Sequence, residues 1–134
     1  MKKISVLLIV LQLSFVLDAQ DYKRKTPEEK ARKYTSEMAA EITLEKTQEE
    51  QIFLINLDVS KRFDSLYASK PEKDILRKIT IDILKNRDAE FRKVLSPEQF
   101  LRFDDIQREK REKKLKEKLE KERLENEGKY KTEK

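Results

Sequence analysis

The sequence predicts an all-α fold of four helices joined by short connections, and three observations lead to this prediction. The 134 residues contain one glycine, Gly128, and three prolines, so the turn residues that β-hairpins need are almost absent. Each proline follows a serine or threonine by one or two positions, where proline is tolerated in the first turn of a helix. Apolar residues recur at spacings of three and four, which is the period of an amphipathic helix.

Four Ser/Thr-x-x-Glu/Gln strings mark the expected helix starts. In such a capping box the N-cap hydroxyl accepts a hydrogen bond from the N3 backbone N–H, and the N3 side chain bonds the N-cap backbone N–H. Each cap stabilises its helix by about 1 kcal/mol, which accounts for the residue without any binding role. The four strings are Thr26 to Glu29, Thr47 to Glu50, Ser69 to Glu72 and Ser96 to Gln99.

These starts divide the chain into amphipathic segments. The helices are predicted over 27–43, over 48–67, from 71 or 72 to 94, and from 96 onward. The predicted core faces are Ala31, Tyr34, Thr35, Met38, Ala39 and Ile42 in the first helix; Ile52, Ile55, Val59, Phe63 and Leu66 in the second; Ile75, Leu76, Ile79, Ile83, Leu84, Phe91 and Val94 in the third; and Phe100, Phe103 and Ile106 in the fourth.

Residues 1–19 have the pattern of a secretory signal peptide. Lys2 and Lys3 precede a short apolar run, and Ala19 offers a small residue at the cleavage point. The run is shorter than the roughly 20 apolar residues that span a bilayer, although an uncleaved anchor is the alternative. Cleavage leaves an exported, soluble chain with a flexible start over 20–25, a helical domain over 26–107 and a charged tail over 108–134.

The tail is composed almost wholly of Lys, Arg and Glu. Glutamate precedes lysine by four residues at several places, an order that supports a solvated helix. We expect a protruding helix that frays near Gly128, with a disordered tail as the alternative. The expected pairs are Glu109/Lys113, Glu112/Lys116, Glu117/Lys121 and Glu125/Lys129.

The composition excludes several classes of function. Without His or Cys the chain cannot assemble the usual zinc and copper sites or a Ser-His or Cys-His nucleophile. Asp104 and Asp105 are adjacent and diverge by about 100° on a helix, so they cannot act as an acid/base pair across a cleft. The net charge of +5 is small beside 44% charged residues, so no nucleic-acid partner is expected. We predict a protein without enzymatic activity, metal or cofactor.

The string Leu95-Ser96-Pro97-Glu98-Gln99 resembles the Leu-Thr-x-x-Gln signature of the Spy/CpxP family of periplasmic proteins, with Ser in place of Thr. That family carries the signature twice, at two separate helix starts. The upstream counterpart here is Leu44-Glu45-Lys46-Thr47-Gln48, in which Glu45 takes the hydroxyl position; Thr47 with Glu50 is the alternative box. The resemblance extends over residues 26 to 110.

This resemblance implies a periplasmic protein that forms a cradle-like antiparallel homodimer of long, bent helices. It also implies an ATP-independent chaperone for non-native or envelope proteins, or a stress adaptor that modulates an envelope sensor. Some members of the family bind zinc through histidines, which this chain lacks.

Surplus apolar residues among basic ones agree with a chaperone. Phe53, Leu54, Leu57 and Ile81 lie outside the predicted core stripes, and weak apolar contacts with charge attraction can hold an unfolded chain without nucleotide. The alternative is that the apolar residues complete a dimer core while the basic ones are solvated. The candidate client-binding residues are Phe53, Leu57, Lys61, Arg62, Arg77, Lys85 and Arg87.

Two other functions remain open. The chain could bind one defined membrane sensor as an adaptor or inhibitor. It could also be structural, with the helix from Arg108 acting as a spacer or a coiled-coil partner. No stable membrane insertion is expected after signal cleavage, because glutamates offset the lysines and the tail has no apolar face.

Overall fold

The computed structural model describes residues 24–132, and within this range the chain forms four α-helices and no strand. The all-α prediction is confirmed. The predicted signal peptide over 1–19 lies outside the described residues. The helices are α1 (Pro27–Glu41), α2 (Lys46–Ala68), α3 (Lys73–Val94) and α4 (Pro97–Thr132).

Helix α2 packs against both α1 and α3 and is antiparallel to each. Its pairing with α1 is fixed by an ion pair between Lys30 and Asp64 and by a hydrogen bond from Asn56 to Thr35. At its other end, the Gln48 side chain reaches the end of α3. The connections between successive helices are short, with four, four and two residues in chain order.

The main apolar core lies where the α1–α2 and α3–α4 connections meet. There the Phe91 and Phe103 rings pack edge to face with their centroids 5.2 Å apart. Leu44, Ile55, Val94 and Phe100 pack around the core from its edge. The buried residues of this cluster are Met38, Ile42, Ile52, Phe91, Leu95, Phe103 and Ile106.

The predicted core faces are correct in part: Ala31, Leu66 and Ile83 are buried although they lie outside this cluster, whereas other predicted core residues are exposed. In α3, Ile83 and Phe91 are buried, but Ile75 is 51% exposed and Ile79 is 38% exposed. The difference arises because α4 joins the core only beside the C-terminal end of α3. Tyr34 in α1 is likewise exposed rather than buried.

Polar residues occupy part of the buried stripe of α2. Asn56 and Ser60 are buried, whereas the predicted core residues Ile55, Val59 and Phe63 are only half-buried. Asn56 is accommodated because its Nδ2 donates to Thr35 Oγ1 at 3.0 Å. The buried face of α2 is therefore rotated about the helix axis relative to the face that the apolar residues alone predict.

Two of the four predicted capping boxes are confirmed. The Thr26 hydroxyl accepts from Glu29 N–H at 3.2 Å, and Glu29 Oε2 accepts from Thr26 N–H at 2.7 Å. The Ser96 hydroxyl accepts from Gln99 N–H at 3.1 Å, with Gln99 Oε1 accepting from Ser96 N–H at 2.9 Å. These contacts fix the starts of α1 and α4.

The predicted boxes at Thr47 and Ser69 are wrong. Helix α2 begins at Lys46, so Thr47 lies within its first turn and Glu45 is the N-cap. Ser69 ends α2 instead of starting α3, and its hydroxyl donates to the Leu66 carbonyl at 2.7 Å. The chain reverses after it through Lys70, whose φ of 45° is left-handed. Because of this turn, α3 begins at Lys73 and not at residue 71 or 72.

The tail is helical, and α4 continues past Gly128 to Thr132. Its 36 residues span about 54 Å at 1.5 Å per residue. Every residue from 108 to 128 is exposed. None of the described helices contains a stretch long and apolar enough to cross a membrane.

The ion pairs that the structure places in the tail mostly run in the opposite order from the predicted one. Lys113 pairs with Glu117 at 4.0 Å and Lys121 with Glu125 at 3.8 Å, so the cation comes first. Positions 109, 113, 117, 121 and 125 alternate in sign, so each lysine has a glutamate on either side. The hydrogen bond and the charge of Arg123 hold the pKa of Glu120 below its usual value.

We predict that Thr26→Ala lowers the free energy of unfolding by about 1 kcal/mol, because it removes a formed cap. Thr47→Ala is the matched control and should cause no loss, since Thr47 caps nothing and alanine favours a helix. Urea unfolding followed by circular dichroism measures both. Equal losses in the two variants would contradict the assignment of Glu45 as the N-cap.

Candidate functional site

The two Leu-x-x-x-Gln strings meet in space. Gln48, at the start of α2, donates from Nε2 to Gln99 Oε1 at 2.8 Å. Gln99, at the start of α4, donates from its own Nε2 to Gln48 Oε1 at 3.0 Å. The two side-chain amides, which are 51 residues apart in sequence, therefore bond each other reciprocally.

Each of these amides also bonds backbone groups at both helix starts. Gln48 Oε1 accepts from Glu45 N–H at 3.0 Å, as Gln99 Oε1 does from Ser96 N–H. Gln48 Nε2 donates to the Val94 carbonyl at 3.1 Å, and Gln99 Nε2 donates to the Thr43 carbonyl at 2.7 Å. We call Gln48 and Gln99 with these four backbone partners the glutamine clasp.

The clasp has an approximate twofold symmetry that satisfies both amides. Each amide nitrogen uses both of its N–H donors, and each oxygen accepts two hydrogen bonds. Thr43 and Val94 stand directly before Leu44 and Leu95, the leucines of the two strings. Leu95 is buried in the core and Leu44 packs against it. The clasp thus ties the α1–α2 connection to the α3–α4 connection over the core.

A groove of about 510 Å³ lies over α2, with α1, α3 and α4 as its walls. We call it the four-helix groove. Aromatic and aliphatic side chains line it together with polar and charged ones. The lining residues are Lys30, Tyr34, Glu37, Met38, Glu41, Asn56, Val59, Ser60, Phe63, Asp64, Tyr67, Leu84, Arg87, Phe91, Phe103, Gln107, Lys110 and Lys114.

An ion pair lies at each end of the groove. Lys30 pairs with Asp64 at one end, and Lys110 of α4 pairs with Glu41 of α1 at the other. Between them, the Arg87 guanidinium bonds the Asp88 carboxylate, from Nε at 2.9 Å and from Nη2 at 2.7 Å. The groove therefore combines paired charges with apolar walls.

Arg87 belongs to the groove wall. Its guanidinium carbon lies 5.6 Å from the Phe91 ring centroid and 5.4 Å from that of Phe103, so the cation covers two core rings. Such cation–π contacts contribute roughly 0.5–1 kcal/mol each. Arg87 is therefore both packed against core rings and paired with a carboxylate.

Ser60 is a buried polar residue in the floor of the groove. It is 4% exposed, and its hydroxyl has no hydrogen-bond partner among the described residues. A buried unsatisfied hydroxyl costs about 1–3 kcal/mol. The floor of the groove therefore contains a hydroxyl that no described residue satisfies.

Residues 18–103 match the family described as a domain of unknown function, DUF4890. This match covers more than half of the chain. The chain belongs to the DUF4890 family. No curated protein and no solved structure matches it significantly.

The region that DUF4890 covers includes both residues of the clasp and ends at Phe103, in the first two turns of α4. The family region therefore contains the pairing of the two helix starts. The solvated part of α4 lies beyond it.

The seven candidate client-binding residues lie on several surfaces. Only Arg87 lines the four-helix groove. Phe53 is half-buried, and the guanidinium carbon of Arg32 lies 5.0 Å from the centroid of the Phe53 ring. Leu57, one turn later in α2, is also half-buried. The remaining four are exposed: Lys61, Arg62, Arg77 and Lys85. Client binding by these residues stays a prediction.

Sequence reasoning missed the contact within the clasp and the polar floor of the groove. It treated Gln48 and Gln99 as separate helix caps, although the recurrence of one string at two helix starts was a signal for a symmetric pair. Asn56 and Ser60 follow the buried Ile52 at four-residue spacing, which would have placed them on its face. The predicted core face of α2 contains apolar residues alone and therefore omits both.

We predict that Gln99→Glu lowers the free energy of unfolding by about 2 kcal/mol, because a carboxylate cannot donate to Gln48 Oε1 and the Thr43 carbonyl. Gln51→Glu, at an exposed position of α2, is the matched control and should have little effect. The folded state disfavours the charged form of the introduced carboxyl and so raises its pKa. Stability should therefore recover as the pH falls toward about 4.3, the usual pKa of a glutamate side chain. A pH-independent loss would contradict the clasp geometry.

We predict that Ser60→Ala raises the free energy of unfolding by about 1 kcal/mol, since it removes the unpartnered hydroxyl. Ser65→Ala tests the same change at a less buried position of the same helix and controls for helix propensity. Thermal and urea unfolding measure both variants. A gain no larger at Ser60 than at Ser65 would show that the hydroxyl carries no such cost.

Proposed function

We propose that this protein is an exported, ATP-independent chaperone that holds non-native segments of envelope proteins. The observation that carries the proposal is the four-helix groove, an apolar and partly aromatic surface that the fold leaves open to solvent. Soluble proteins rarely expose contiguous apolar surface unless it binds something. Among the described residues, no cluster of acidic residues is arranged to hold a metal ion.

The dimensions of the groove fit an extended polypeptide. Its floor runs along α2 from Asn56 to Tyr67, which is about 16 Å at 1.5 Å per residue. That length accommodates about five residues of an extended chain at 3.3 Å each. Tyr34 and Tyr67 are 51% and 59% exposed, so aromatic surface is available to side chains of any non-native segment.

The binding that this groove supports is weak and unselective. Apolar contacts are non-directional, so they do not depend on one sequence. Because the charges at its two ends are already paired, they give little selectivity to a client. Release without nucleotide follows from this weakness.

Three parts of the proposal rest on the sequence. Export to the periplasm rests on the signal-peptide pattern over 1–19. A relationship to the Spy/CpxP proteins, and with it the antiparallel homodimer, rests on the two Leu-x-x-x-Gln strings. Their meeting in one clasp supports treating them as a pair.

A spacer role for α4 is a second candidate. It is supported by the solvated helix from residue 108 onward, which extends beyond the apolar core. Ending the chain after Lys118 removes about 21 Å of the described helix. A spacer would lose its function with this truncation, whereas chaperone activity should be unchanged.

Light scattering from a reductant-denatured client tests the chaperone proposal. We predict that the protein suppresses aggregation without ATP at near-stoichiometric ratios. The double variant Tyr34→Ser with Tyr67→Ser should reduce the suppression, because it removes exposed aromatic surface from the groove. Leu54→Ser is the control, since Leu54 is 62% exposed but lies outside the groove.

Unchanged scattering with the wild-type protein would reject the chaperone function. Equal reductions by the groove variant and by Leu54→Ser would instead reject the groove as its binding surface. Both variants alter exposed side chains, so their fold is expected to remain intact.

A further inference from the structure

The net charge of the described chain is concentrated on one segment of α4. Residues 24–107 contain 17 basic and 17 acidic side chains, and residues 119–132 contain four of each. Residues 108–118 contain seven basic and three acidic side chains. The whole excess of +4 therefore lies within these 11 residues, which we call the basic segment.

The basic segment is accessible, and several of its cations are unpaired. All its residues are exposed. Arg111, Lys114 and Lys116 have no carboxylate within 4.0 Å among the described residues, unlike Lys110, which pairs with Glu41. Unpaired surface cations are free to bind an anionic partner without first breaking an internal ion pair.

The basic segment continues directly from the four-helix groove. Lys110 and Lys114 line the groove, and Lys118 follows them on the same side of α4 at the same four-residue spacing. From Lys110 to Lys118 this row of cations extends about 12 Å along the helix. One ligand can therefore contact the apolar groove and the cations together.

We propose that the basic segment binds an acidic stretch of the same non-native polypeptide whose apolar residues occupy the groove. The inference rests on the proposed chaperone function and specifies its substrate class: segments in which apolar residues adjoin Asp and Glu. Apolar side chains lie in the groove, and the adjoining carboxylates face Lys114 with Arg111 and Lys118, which lie on the same side of α4. Charge complementarity speeds the encounter and selects acidic segments over basic ones.

The chemistry of the segment favours a polypeptide over an anionic lipid surface. A helix that lies on a membrane needs an apolar face, and Leu115 is the one large apolar residue of this segment. Glu109, Glu112 and Glu117 interrupt the cations and would face lipid phosphates unfavourably. The adjacent apolar groove also requires a partner that carries apolar and acidic groups together.

The test compares two variants that each remove three positive charges. The triple variant Arg111→Gln, Lys114→Gln and Lys118→Gln neutralises three cations on the groove side of the basic segment while keeping good helix formers. The control is Lys73→Gln, Lys78→Gln and Lys93→Gln, which neutralises three exposed cations on α3 that are not among the candidate client-binding residues. Circular dichroism verifies that both variants are as helical as the wild type.

The probe is a fluorescein-labelled synthetic peptide with an apolar block followed by an acidic block, and fluorescence anisotropy measures its affinity. We expect the α4 variant to bind about tenfold more weakly at low salt, from three surface pairs of modest strength. The difference should shrink as salt screens the charges. A second peptide, with Asn and Gln in the acidic block, should bind both variants equally.

An equal loss in the α3 control, or no loss in the α4 variant, would overturn the inference. So would tighter binding of the basic segment to phosphatidylglycerol vesicles than to the acidic peptide, since the partner would then be a lipid surface. Aggregation suppression by the wild-type protein is measured separately. If the wild-type protein suppresses aggregation but the affinity for the acidic peptide is the same in the wild type and the α4 variant, the chaperone function stands and this inference fails.

Discussion

The reciprocal bonding of Gln48 and Gln99 is the constraint on which the rest of the structure depends. Six hydrogen bonds converge on two side-chain amides and join the start of α2 to the start of α4. Because the amides also hold the Thr43 and Val94 carbonyls, they fix the chain on both sides of each connection. Leu44 and Leu95 then bring the same connections against the core. The glutamine clasp and the apolar core thus hold the same two connections together.

Concentrating the core at that junction leaves the rest of the helical layer open. Phe91 and Phe103 are buried beside the clasp, whereas Ile75, at the far end of α3, is half exposed. The four-helix groove results from this uneven packing, and the unsatisfied hydroxyl of Ser60 is one of its costs. The same feature that limits stability provides the apolar surface on which the proposed chaperone function depends.

Local signals predicted the fold class and part of the clasp, because capping chemistry acts within four residues. They correctly placed the boxes at Thr26 and Ser96 and assigned Glu45 to the hydroxyl position of the string from Leu44 to Gln48. Ser69 was misassigned because a hydroxyl can bond the backbone at either end of a helix. The pairing of Gln48 with Gln99 depends on tertiary packing across 51 residues, which no local pattern encodes.

A double-mutant cycle with Gln48→Ala and Gln99→Ala most directly measures the coupling energy between the two glutamines of the clasp. Removing either amide leaves the other without its partner, so the second removal should cost little more. Urea unfolding should therefore give a double loss smaller than the sum of the single losses by about 1–2 kcal/mol. Losses that simply add would mean that the two glutamines act as independent helix caps and that the clasp does not hold the fold together.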